Sequence, residues 1–162
     1  MQMKLTFIGA DHQVTGSCHF LEVGEMKVLV DCGMEQGNIQ YKNAELPVPY
    51  SDIDYVFLTH AHIDHAGMLP WIYARGFRGR VIATYATVDL CGIMLRDSAH
   101  IQEMEAEWKN RKARRAGREQ VEALYTTQDA ENVLEHFEGV AYGQMFKLNS
   151  NLTLRFTDVG HL

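Results

Sequence analysis

The sequence predicts an α/β (α+β) fold, a mixed and mainly antiparallel sheet with flanking helices. Three observations carry that reading: alternating apolar runs near the N-terminus, a long helical periodicity from about residue 87, and strand-like runs again after residue 139. Taken in order, residues 4–8 alternate as a first strand, which Gly9 ends. Ala10-Asp11-His12-Gln13-Val14-Thr15-Gly16-Ser17 is a polar loop. Strands over 18–23 and 26–30 meet at Gly24-Glu25, a two-residue hairpin turn. Residues 35–51, with Gly37, Asn38, Pro47 and Pro49, read as a long loop, and 54–58 as a fourth strand. Proline fits only the first turn of a helix, so Pro70 places the next helix from 66 or 67 to 74, before Gly76. Asp64 and His65 then fall in the bend ahead of it. A fifth strand spans 80–83. The helix from about 87 carries Leu90, Met94, Ile101, Met104 and Trp108 on one face, with Asp97 in the gap, and that face reads as core. Thr127 is read as the cap of a helix over 128–137, followed by strands over 140–142, 145–148 and 152–156.

The chemistry concentrates in Thr59-His60-Ala61-His62-Ile63-Asp64-His65, directly after the apolar run Val56-Phe57-Leu58. In extended chain, alternate side chains share a face, so His60, His62 and Asp64 point one way and His65 enters from the bend. Imidazole and carboxylate suit zinc and similar divalent ions. One ion does not accommodate all four groups and a reactive water, so the cluster reads as a site for two. The plainer alternative is a polar turn with surface histidines. Asp64 is a ligand or a helix cap. Asp31, closing the third strand before Cys32-Gly33, either orients a metal-bound histidine or caps a turn. Lys109, Arg111, Lys112, Arg114 and Arg115 form a basic run that is either a phosphate-contacting patch or a solvated helix end favoured by the helix dipole.

The totals set bounds. The 162 residues allow one domain with a sizeable core, and a net charge of −6 argues against a generally basic nucleic-acid binder, though not against local phosphate contacts. Cys18, Cys32 and Cys91 are odd in number and form no CxxC pair, which fits reduced thiols in the cytoplasm. No stretch approaches the ~18 apolar residues of a membrane span.

The motif His60-x-His62-x-Asp64-His65 after an apolar strand resembles the metallo-β-lactamase superfamily, and within it the β-CASP group of nucleic-acid-processing nucleases. Asp31 matches the family's first motif, and Asp158-Val159-Gly160-His161-Leu162 resembles the start of its third. The runs Ile8-Gly9-Ala10, Val14-Thr15-Gly16-Ser17-Cys18 and His65-Ala66-Gly67-Met68-Leu69-Pro70 are similar to members related to the cleavage-and-polyadenylation endonuclease. The resemblance implies the first part of an αββα sandwich, with residues 1–162 an N-terminal portion of the domain and the β-CASP domain and later motifs absent. It implies two zinc ions, or manganese, with His60, His62 and His161 on one and Asp64 and His65 on the other, and Asp31 orienting a ligand. A hydroxide between the metals would attack phosphorus in RNA or single-stranded DNA. A hydrolase of a small substrate such as a thioester, and a non-catalytic nucleic-acid-binding module, remain the alternatives.

Overall fold

Successive residues of the central strands face opposite ways and both sets are apolar, so the sheet has to be covered on two sides. The computed structural model describes residues 2–38, 42–150 and 152–161. Parts of the 35–51 loop and Leu162 of the third-motif run therefore lie outside the described residues. Six strands form one sheet in sequence order: β1 (Met3–Gly9), β2 (Cys18–Val23), β3 (Met26–Val30), β4 (Tyr55–Phe57), β5 (Arg80–Thr84) and β6 (Phe137–Val140). β1, β2 and β3 pair antiparallel, whereas β3 to β6 are parallel neighbours. The sheet is mixed as expected, but antiparallel pairing is confined to its N-terminal part and to a separate hairpin of β7 (Phe146–Lys147) and β8 (Thr153–Leu154).

Val56, Leu58, Val81 and Ala83 point into a core shared with Ile72, Phe77, Leu95 and Val133 from the helical side. Phe57, Ile82, Val28 and Val140 point the other way, where Phe146, Leu148, Leu154 and Phe156 of the hairpin region cover them. Helices cover one face of the six-stranded sheet and a separate two-stranded sheet covers the other, a layered αβ arrangement. Among the described residues no helix is long and apolar enough to cross a membrane.

Three expectations change. A single turn, α1 (Ile63–Ala66), precedes α2 (Leu69–Ala74), so Asp64 and His65 are helical and not in a bend. Pro70 does occupy the first turn of α2. The break between the two arises because Met68 N–H donates to Cys32 O at 2.9 Å, drawing the chain toward the end of β3. Second, α4 (Thr127–Leu134) is capped by Thr126, which exchanges bonds with Asp129 in a capping box. It ends early because residues from Phe137 pair with β5 as β6.

The third change concerns α3 (Tyr85–Ala116), capped by Thr84 directly after β5. Its supposed core stripe faces outward: Leu90 is 48%, Ile101 47%, Met104 55% and Trp108 52% exposed, and only Met94 packs against the core. The buried side is Thr87, Cys91, Leu95, Ala99 and Ala106. Small residues let α3 lie close to β5, β6 and α4, so the buried face is the less conspicuous one. Leu95→Ala is expected to lower the unfolding free energy by about 2–5 kcal/mol. Met104→Ala should change it by no more than about 0.5 kcal/mol. Urea denaturation followed by circular dichroism distinguishes them, and the reverse ranking would put the apolar stripe in the core.

Candidate metal centre

Parallel strands deliver their carboxyl ends to one rim of the sheet, the place where open α/β sheets bind ligands. Asp31 follows β3, the three histidines of the motif follow β4, and Thr84 ends β5. Across that rim, His60, His62 and His161 gather so that one potential ligand atom from each lies within 4.8 Å of the others. His60 Nε2 stands 2.9 Å from His62 Nδ1. Two nitrogens on one tetrahedral zinc would stand about 3.3 Å apart, given Zn–N distances near 2.0–2.1 Å. The donor set could therefore close on a divalent ion, and three such donors would leave a fourth tetrahedral position open.

Asp64 and His65 form a second pair, His65 Nε2 lying 3.8 Å from Asp64 Oδ2. Asp64 makes no cap bond; His62 holds the cap position of α1, also without a side-chain bond. The carboxylate thus remains available for a ligand.

Asp31 reaches a member of each group, His65 directly and His60 through Thr59. Its side chain is buried, and its backbone is left-handed at φ 61°, a conformation aspartate tolerates better than most residues. It accepts from Thr59 N–H at 2.9 Å, from the Thr59 hydroxyl at 2.9 Å, and from Ser17 Oγ at 3.1 Å. His65 Nδ1 lies 2.7 Å from Oδ2, the oxygen that also accepts from Ser17, while the two 2.9 Å bonds from Thr59 go to Oδ1. The Thr59 oxygen is in turn 3.0 Å from His60 Nδ1. With Nδ1–H donating in both rings, the carboxylate holds His65 directly and His60 through Thr59, and turns each Nε2 away from Asp31, toward His62 for His60 and toward Asp64 for His65.

The charges follow this arrangement. Burial, followed by the neighbouring His65 and His62, pushes the His60 pKa below the ordinary imidazole value. Burial also opposes a charge on His65, but the hydrogen bond and charge of Asp31, with Asp64 adding, outweigh it and raise its pKa. At neutral pH His60 offers a lone pair, while His65 must release a proton more often before it can bind a cation.

Backbone contacts lock the motif to the end of β3. Ser17 N–H donates to Asp64 O at 2.8 Å, Cys32 N–H to His65 O at 2.7 Å, and Met34 N–H to Ile63 O at 3.0 Å. Gly33 packs so closely on this turn that a Cβ there would overlap the Asp64 carbonyl oxygen. Thr59, Ser17 and Gly33 had no role in the sequence reading, although Thr59 opens the motif itself. Lys109, Arg111, Lys112, Arg114 and Arg115 are not brought to this rim. They ride the far end of α3, beginning about 33 Å along the helix from Thr87 at 1.5 Å per residue. There Lys109 pairs with Glu105 at 3.2 Å and Lys112 lies 3.5 Å over the Trp108 ring.

Residues 20–162 match the metallo-beta-lactamase superfamily domain, and the chain belongs to that superfamily. Membership implies divalent metal binding, most often zinc. Among curated proteins, ribonuclease TTHA0252 of Thermus thermophilus is 37% identical over 161 residues, covering 99% of this chain and 33% of that one. Transcription termination factor FttA of Methanocaldococcus jannaschii is 26% identical over 166 residues, covering 99% of this chain and 24% of that one. The chain thus spans a third or less of the length of these relatives. The solved metallo-beta-lactamase fold protein YhfI of Bacillus subtilis superposes with a TM-score of 0.45 at 19% identity, over 91% of this chain and 49% of that one.

Asp31→Asn keeps an acceptor and a residue tolerant of the left-handed backbone, and is expected to weaken zinc binding about 10–100-fold. Asp31→Ala should in addition cost about 1–3 kcal/mol of stability, because buried donors lose their acceptor. Competition with a chromophoric chelator and urea denaturation measure the two effects. Unchanged zinc affinity in Asp31→Asn would remove the orienting role.

Proposed function

We propose that the protein is a metal-dependent phosphodiester hydrolase of the β-CASP group, acting on RNA or single-stranded DNA. The observation supporting this reading is the three-histidine cluster beside the Asp64–His65 pair at the rim of a metallo-β-lactamase sheet. The match to a protein named as a ribonuclease, over 99% of this chain, supports the substrate class.

In this reading His60, His62 and His161 hold one divalent ion, zinc or manganese, and Asp64 and His65 contribute to a second position. Bound there, the metal would supply a water acidic enough to react at neutral pH and would offset charge on the phosphoryl oxygens. The chain's own residues do the positioning. Asp31 fixes the His65 tautomer and, through the Thr59 hydroxyl, that of His60, so that both rings present Nε2. The depressed pKa of His60 keeps its lone pair free at neutral pH. Asp64 supplies a negative oxygen on the same side as His65 Nε2.

Among the described residues no third ligand joins Asp64 and His65. The 162-residue chain is therefore expected to cleave a labelled RNA little or not at all with zinc present. The whole protein should cleave it, and His62→Ala should reduce its turnover roughly 100-fold or more, the several kcal/mol a metal supplies converted to rate. Retained RNA affinity in that variant would separate lost chemistry from lost binding. Robust cleavage by the 162-residue chain would overturn the incomplete-site reading. Turnover of a thioester with no action on RNA, tested on the whole protein, would overturn the nuclease reading.

A further inference from the structure

Beside the histidines lies a cavity of about 430 Å³, within the range of small-ligand sites. Thr59, His60 and His161 line it, and so do Tyr142, Arg155 and Phe156, which form a second group of lining residues. An occupant would touch the metal centre and this second group together. Phe156 packs into the sheet core, and its carbonyl accepts from Gly143 N–H at 2.9 Å. That bond ties the turn bearing Tyr142 to the strand segment bearing Arg155. Tyr142 is 56% exposed, so its ring is open to a planar partner. Among the described residues Arg155 has no ion-pair or hydrogen-bond partner. The carboxylate that also lines the cavity, Asp158, accepts from Gly160 N–H at 2.7 Å through Oδ1.

We propose that this cavity is a nucleotide subsite, which takes the nucleotide next to the scissile phosphate with its base on Tyr142 and its phosphate on Arg155. The inference rests on the nuclease reading and deepens it by assigning a grip on the substrate within these 162 residues. The chemistry matches single-stranded nucleic acid. An exposed aromatic ring stacks on any base, and a guanidinium pairs with phosphate through two parallel donors. A single unpaired base can lie flat on such a ring, whereas a base inside a duplex is already stacked on both faces. The subsite therefore favours unpaired strands and tolerates different bases.

The test is fluorescence anisotropy of fluorescein-labelled hexauridylate, and of the matching oligothymidylate, titrated with the zinc-loaded 162-residue chain and its variants. Tyr142→Ala is expected to weaken binding of both probes about tenfold, and Arg155→Ala to weaken it and reduce the salt slope by about 0.7, one phosphate contact on a single strand. Arg155→Lys should restore part of the loss. A stronger effect with the uridylate would assign a contact to the ribose hydroxyl, whereas equal effects would assign base and phosphate only. Both are surface positions, and melting curves verify that each variant is folded. Tight binding by the unaltered chain with no change in either variant would overturn the subsite and leave the nuclease reading standing. Absence of binding by the unaltered chain, together with no RNA cleavage by the whole protein, would overturn both.

Discussion

A carboxylate removed from water is tolerated only where donors replace the water, and Asp31 has Thr59 N–H, two hydroxyls and the His65 ring supplying them. Each of those donors belongs to a segment that matters elsewhere. Ser17 leads the strand next to β3, Thr59 opens the histidine motif, and His65 sits on α1. Asp31, the one buried charge among the described residues, therefore ties the end of β3 to the start of β2 and to the histidine motif. It also links the His65 ring directly, and the His60 ring through Thr59, to one carboxylate. Its unusual backbone angle is tolerable because so many bonds determine it.

The parallel strands explain why that junction lies where it does. β3 and β4 run side by side in the same direction, so their ends emerge together and Asp31 N–H still donates to Phe57 O at 3.0 Å, one step past the ladder. From there the chain after β3 and the chain of α1 run in backbone contact, with Gly33 as the point of closest approach. A bulkier residue would push the Asp64–His65 turn away from β3 and misplace its side chains without touching one of them. Backbone proximity thus fixes where the Asp64–His65 turn stands, and the Asp31 network fixes how the His65 and His60 rings turn.

Much of this was legible in the sequence. The histidine spacing after an apolar strand is a local signal, and the hairpin at Gly24-Glu25 appears with the register Val23 to Met26. What could not be read depends on contacts between distant segments. The apolar spacing on α3 is the same whether it faces core or solvent, and only the presence of Ala99, Cys91 and Ala106 on the opposite side lets the helix close on the sheet. The single turn at α1 forms because Met68 reaches back to Cys32, a bond that no pattern around Pro70 announces. Thr59 is ordinary by composition, and its two-way bonding becomes visible only when Asp31 and His60 are both in place. Tyr142 and Arg155 read only as positions in two strand-like runs, and nothing in either run announces that both line one cavity.

The strand order has a further effect at the sheet's other end. β1 is an edge strand, paired on one side only, and Met3, Leu5 and Phe7 alternate along it with exposures of 64%, 50% and 62%. A free row of backbone donors beside an apolar face is the geometry that recruits another strand and drives association of like chains. Lys4, held to Glu22 at 3.1 Å, places one charge pair in that row. Another strand would add to the isolated polypeptide at β1, at the end of the strand order opposite β6 and apart from the histidines, short of Ile8, whose carbonyl already accepts from Ala44 N–H at 2.7 Å.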